Sequence, residues 1–165
     1  MSAENDDEFF ESKAAAVKEV GGSSGIYYGV ALGLSILPVF LFYTVYKQNI
    51  GVVYLIVTTI STVLLATAYQ KVQSREKLRL WRYRQQDKAN AHKKYGLSKN
   101  DYDAKRMEIT SQEALTFSLF RNNLTYVLFF LFFAFYAFKD INREFCYAVS
   151  VGASSVLVWK FSDWL

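Results

Sequence analysis

Nine basic residues crowd one short stretch of this 165-residue chain: Lys71, Arg75, Lys77, Arg79, Arg82, Arg84, Lys88, Lys93 and Lys94. Cationic groups at this density recognise phosphate or carboxylate, arginine by bidentate hydrogen bonds as well as by charge. Lys71, Arg75, Arg79 and Arg82 follow spacings of four, four and three, which place them on one stripe of a helix. Lys77, Arg84 and Lys88 fall on another face, and Trp81 and Tyr83 are interleaved among them. Leu78 and Leu80 point elsewhere, so the segment is not a clean amphipathic helix lying on a membrane. Three roles remain open on composition: a loop that only fixes topology, a site for anionic lipid headgroups, or a surface for RNA or an acidic protein.

Other chemistries find little support. His92 stands among lysines with no second ligand at metal spacing, and Cys146 is the single cysteine, which rules out an intrachain disulfide. There is no glycine-rich phosphate loop, no Ser–His–Asp set and no pair of carboxylates in an apolar segment. The expectation is a protein that is not an enzyme and needs no cofactor or metal.

The elements that must position the basic stretch are hydrophobic. Apolar residues make up 52% of the chain while the mean hydropathy is only +0.07, so they must be unevenly distributed. Four stretches, 26–46, 48–70, 122–138 and 145–159, contain no Asp, Glu, Lys, Arg or His. About 20 apolar residues cross a bilayer. The third stretch reaches that length if Arg121 snorkels, and the fourth if Lys160 snorkels while Phe161, Trp164 and Leu165 sit at the interface. The six phenylalanines of 122–138 are a load that a small soluble domain could not bury on every side. The fold expected is all-α: a polytopic membrane protein of four transmembrane helices, about 26–46, 50–70, 120–138 and 145–163.

Basic residues set the orientation. The segment 71–121 holds 13 of the 19 lysines and arginines; Lys13, Lys18 and Lys160 lie on the same side of the membrane as that segment, against Lys47, Lys139 and Arg143 on the other. The N-terminus, central segment and C-terminus are therefore expected in the cytoplasm. The acidic start, with Glu4, Asp6, Asp7, Glu8 and Glu11, is the opposite of a signal-peptide n-region, so the first helix is expected to be retained. The sequon at Asn123 falls at the cytoplasmic membrane edge and is expected to be unmodified.

Gly96 is the one helix breaker between Val52 and Val151. Ser98, Lys99, Asn100 and Asp101 follow it in a pattern like a capping box. The second membrane helix should therefore run on into the cytoplasm, turn at Gly96 and return as a helix that becomes the third span. At ~1.5 Å per residue, an arm of about 25 residues reaches about 35 Å. The organisation expected is an acidic segment over 1–24, a membrane hairpin over 25–70, a basic cytosolic helical hairpin over 71–118 and a second membrane hairpin over 119–165.

Within the spans, Gly25, Gly29 and Gly33 recur every fourth residue, and Ala148 and Gly152 do likewise, which suits close helix packing inside the bundle or against a partner. Pro38 should kink the first span. Ser61, Thr58, Thr59, Thr62 and Thr67 are expected to bond their own backbone or a neighbouring helix rather than line a solute path.

Glu113-Ala114-Leu115-Thr116-Phe117-Ser118-Leu119-Phe120-Arg121-Asn122-Asn123 precedes the phenylalanine-rich span. This string resembles the approach to the third span in the gamma subunits of the translocon-associated protein complex, also called the signal sequence receptor complex. Ser61-Thr62, Ala66, Ala68-Tyr69 and Val72 in the second span, and Ala153-Ser154-Ser155 in the fourth, are similar to motifs of the same family. The resemblance spans about residues 25–160. It implies a non-catalytic endoplasmic reticulum membrane protein, partnered by the other translocon-associated subunits, the protein-conducting channel, the ribosome and the lipid bilayer. It also implies that the cytosolic part anchors the complex to ribosomal RNA and protein. The ribosome-facing candidates are then Lys71, Arg75, Arg79, Trp81, Arg82, Tyr83, Arg84, Lys88, Lys93 and Lys94, chosen by charge and spacing. A small channel or transporter subunit and a scaffold on anionic lipid are the competing readings.

Overall fold

The structure is a computed structural model that describes residues 24–47, 51–85 and 99–164. Four α-helices account for nearly all of them: α1 (Ser24–Tyr46), α2 (Val52–Gln85), α3 (Lys99–Phe132) and α4 (Arg143–Trp164). A π-helical stretch, Phe133–Ala137, continues directly from α3. All four helices are long and apolar enough to cross a membrane. The second helix runs without a break far past its apolar part, as the lack of glycine and proline dictates. The third begins at Lys99; Gly96, where the turn is expected, and Ser98 lie outside the described residues.

The chain divides into two compact units, and the division falls inside α2 and α3. One unit, Ser23–Val72 with Ser118–Leu165, contains the apolar segments. Its exterior carries large apolar side chains, and its interior holds polar side chains beside an apolar and aromatic core. Leu37, Phe40, Leu55, Ile60, Leu128 and Phe132 are exposed, while Ser35, Ser61, Ser118, Asn122, Ser150, Ser154 and Ser155 are buried. Exposed apolar surface on this scale fits a hydrocarbon solvent. There, helix association relies on close packing and interhelical hydrogen bonds because lipid removes the hydrophobic driving force.

Those bonds are present. Ser61 on α2 lies 3.5 Å from Ser35 on α1 and 2.6 Å from Ser155 on α4, tying three helices at one level. Thr58 lies 2.8 Å from the Tyr147 hydroxyl. Ser118 on α3 donates to the Tyr69 carbonyl at 2.7 Å, and the Tyr69 hydroxyl donates to Asn123 Oδ1. Thr59, Thr62 and Thr67 bond back to carbonyls of their own helix. An aromatic core completes the bundle: Tyr54 stacks on Tyr147 with ring centroids 4.1 Å apart, and Phe42 meets Tyr147 edge-on at 5.3 Å. Phe130, Ala134, Cys146 and Val151 pack in the same cluster, so every helix contributes.

The glycine stripe of α1 lies on an exposed face among the described residues. Gly25, Gly29 and Gly33 are exposed, and a Cβ added to any of them meets no described atom within 4 Å. Gly152 and Ala148 are half-buried, and a Cβ on Gly152 is equally unopposed.

Asn123 is half-buried in α3 with its amide oxygen engaged by Tyr69, and the Thr125 hydroxyl is bonded to the Arg121 carbonyl at 2.8 Å. A sequon held inside a helix in this way has neither of its side chains free. Glycosidase treatment of the native protein should leave its gel mobility unchanged, and Asn123→Gln should not alter it. A mobility shift in either test would show a modified Asn123.

Candidate functional site

The second unit contains, among its described residues, 73–85 of α2 and 99–117 of α3. On α2 the sequence separates two faces by the 100° turn per residue. Gln73 and Lys77, four residues apart, are buried, and Trp81 on the next turn is half-buried. The opposite face carries Arg75, Arg79 and Arg82, all exposed, with the Arg79 side chain 79% exposed. Tyr83 flanks them at 72% exposure. Arg79 Nη1 lies 3.5 Å from Glu76 one turn back, a weak ion pair in which the arginine side chain stays exposed. On α3, Thr110 and Ala114 are buried while Lys105, Glu108 and Ile109 face outward.

Three of the four residues on the predicted stripe thus lie on one exposed face of α2. Their geometry suits a line of phosphates, since guanidinium groups a helical turn apart can each take a bidentate contact. Lys77 faces the other way and is buried, which removes it from any such row.

Lys71 has the register of the stripe but a different neighbourhood. Its Nζ lies 2.9 and 3.0 Å from the two carboxylate oxygens of Asp163, and 4.2 Å from the ring centroid of Trp159. Trp159 and Asp163 are four residues apart, hence on one face of α4. This clasp belongs to the bundle unit, and sequence reasoning did not find it. The signal was faint: Asp163 is the one acid in the chain beyond Glu144.

Arg84 lies in the last turn of α2. Lys88, Lys93 and Lys94 lie outside the described residues. At the opposite end of the bundle, Arg143 Nη1 donates to the Tyr46 carbonyl at 3.4 Å, and its guanidinium lies 5.0 Å from the Tyr46 ring. It thereby caps the C-terminus of α1. No group of three or more metal-ligating side chains occurs among the described residues.

Comparison with known proteins places these features in context. The family described as translocon-associated protein, gamma subunit, matches residues 9–163, reaching further toward the N-terminus than the sequence motifs do. A translocon-associated protein subunit gamma from Dictyostelium discoideum is 24% identical over 139 residues, covering 80% of this chain and 81% of that protein.

Proposed function

The chain belongs to the translocon-associated protein gamma-subunit family, and from that premise we propose that it anchors its complex to the ribosome through the exposed face of α2. It is a translocon-associated subunit with four helices able to span a membrane. In this proposal it resides in the endoplasmic reticulum membrane, alongside the other subunits and the protein-conducting channel, and assists co-translational translocation. Its N-terminus, central segment and C-terminus face the cytosol, and 71–118 forms a basic helical hairpin there.

The observation that carries the proposal is the split of α2 into a buried Gln73–Lys77 face and a solvent-exposed Arg75–Arg79–Arg82 face. Phosphate is the chemistry that such a row recognises, and ribosomal RNA is the densest phosphate surface available to a translocon subunit. The positive-inside count supports a cytosolic placement, since 16 of 19 basic residues share one side. Tyr83 and Trp81 supply aromatic area beside the guanidiniums, suited to bases or to protein. Lys71 is assigned to the bundle by its clasp with Asp163.

Membranes in which Arg75, Arg79, Arg82 and Arg84 are all changed to Glu should lose salt-sensitive association with ribosomes, read by co-sedimentation. Unchanged association would move the contact off α2. Anionic vesicles that compete for the native surface better than ribosomes do would favour the lipid-scaffold reading.

A further inference from the structure

Residues 1–11 carry five carboxylates, Glu4, Asp6, Asp7, Glu8 and Glu11, and no lysine or arginine. Neither the bundle nor the ribosome proposal uses them, and four of the five precede residue 9, where the family match starts. The segment leads into α1, which begins at Ser24.

The register of α1 on α2 fixes where that beginning lies. Ser35 bonds Ser61, and Phe42 and Tyr54, each seven residues nearer the α1–α2 connection, both pack on the Tyr147 ring. The two helices are therefore antiparallel. Ser24 stands eleven residues before Ser35 and Val72 eleven after Ser61, which brings Ser24 to the level of Val72. The end of α4 is at that level too, since its Asp163 holds Lys71. Ser61 turns toward both of these helices, through Ser35 and Ser155.

Past that level α2 continues unbroken to Gln85. Arg79 lies eighteen residues beyond Ser61, about five full turns, and so projects from the same side of the helix. Arg75 and Arg82 fall within about 60° of it, and all three are exposed. The side of α2 that turns toward α1 and α4 in the bundle thus becomes, beyond Val72, an exposed cationic face. The chain that enters α1 at this level is the acidic segment.

Its reach is ample. Arg82 is ten residues past Val72, about 15 Å along the axis, and neighbouring helix axes stand about 8–10 Å apart. Residues 12–23 span up to about 40 Å when extended. Carboxylate and phosphate form the same charge-assisted, bidentate hydrogen bonds with guanidinium, so the acids offer what a line of phosphates would. A tether raises the local concentration of such a competitor.

We propose that residues 4–11 dock on the Arg75–Arg79–Arg82 face of their own chain and compete there with phosphate. The docking rests on charge and register; the competition with ribosomal RNA rests on the ribosome proposal.

Nitroxide labels on Asn5→Cys and Tyr83→Cys in the native complex test the docking by their dipolar distance, and Cys146, at 4% exposure, is sheltered from the label. At low salt a short-distance population should dominate. Salt at ~1 M, where the screening length is about 3 Å, should disperse it. Changing Glu4→Gln, Asp6→Asn, Asp7→Asn, Glu8→Gln and Glu11→Gln together should abolish it. In the unlabelled complex the same five changes should tighten ribosome binding, by about tenfold if the segment covers the face about nine-tenths of the time. Absence of the short distance at low salt, or its survival after the acids are neutralised, overturns the docking. No gain in ribosome affinity from the five changes, where the α2 arginine variants do weaken binding, overturns the competition. If the distances behave as expected while neither set of variants alters ribosome association, the ribosome proposal fails and the docking stands.

Discussion

Replacing Ser61 by leucine is expected to destabilise the membrane bundle by about 4 kcal/mol, from overpacking and orphaned hydroxyls together. Ser61 is 1% exposed at the point where α1, α2 and α4 meet, so leucine's added carbons have no lipid-facing route out. Overpacking a filled site costs about 1–3 kcal/mol. The change also strips Ser35 of its 3.5 Å partner and Ser155 of its 2.6 Å partner. Ser155 keeps its bond to the Val151 carbonyl, so the orphan is chiefly Ser35, at about 1–2 kcal/mol. Ser61→Ala removes the same hydrogen bonds without the bulk and should cost only about 1 kcal/mol, in line with interhelical bonds in membranes. Unfolding of the two variants in mild detergent measures the gap. A leucine variant no less stable than the alanine one would show that the serine node is loosely packed.

The membrane architecture was legible because it follows from one-dimensional properties. Charge-free runs marked the spans, and the absence of glycine and proline after Val52 marked the long continuation of α2. The cationic stripe was likewise legible at Arg75, Arg79 and Arg82, since helical periodicity alone groups them. What stayed hidden depends on distant partners. Lys71 looks like a fourth stripe member until Asp163, 92 residues away, is placed against it. Ser61 is one hydroxyl among several in α2, and nothing local distinguishes the node from Thr59 or Thr62, which bond back to their own carbonyls. The π-helical stretch Phe133–Ala137 was invisible for another reason. Its register is set by the Phe138 amide bonding the Phe133 carbonyl at 2.9 Å, while Cys146 Sγ contacts the Ala134 carbonyl at 3.6 Å. A run of near-uniform phenylalanines carries no periodicity that could report an extra residue per turn. The glycine stripe was read as a surface for packing inside the bundle or against a partner, and spacing alone could not show that its face is exposed among the described residues.

The same distinction between Lys71 and the arginines yields the sharpest functional expectation. Changing Arg75, Arg79 and Arg82 together to glutamine should weaken ribosome binding about 100-fold near physiological salt, taking about 1 kcal/mol for each lost phosphate contact. Counterion release predicts a second signature. With three contacts gone, the slope of log K against log salt should become shallower by about 2–3. Loss of affinity with an unchanged slope would mean that the arginines act on folding rather than on phosphate. Lys71→Met is the control. It breaks a half-exposed ion pair with Asp163, which contributes at most about 1 kcal/mol to the bundle, and it removes the contact with Trp159. It should lower bundle stability slightly while leaving both ribosome affinity and salt slope where they were. A Lys71→Met slope as shallow as that of a single arginine variant would extend the phosphate row down to the clasp. Asp163 would then be a competitor for Lys71, holding the ammonium in the bundle until an RNA phosphate displaces its carboxylate.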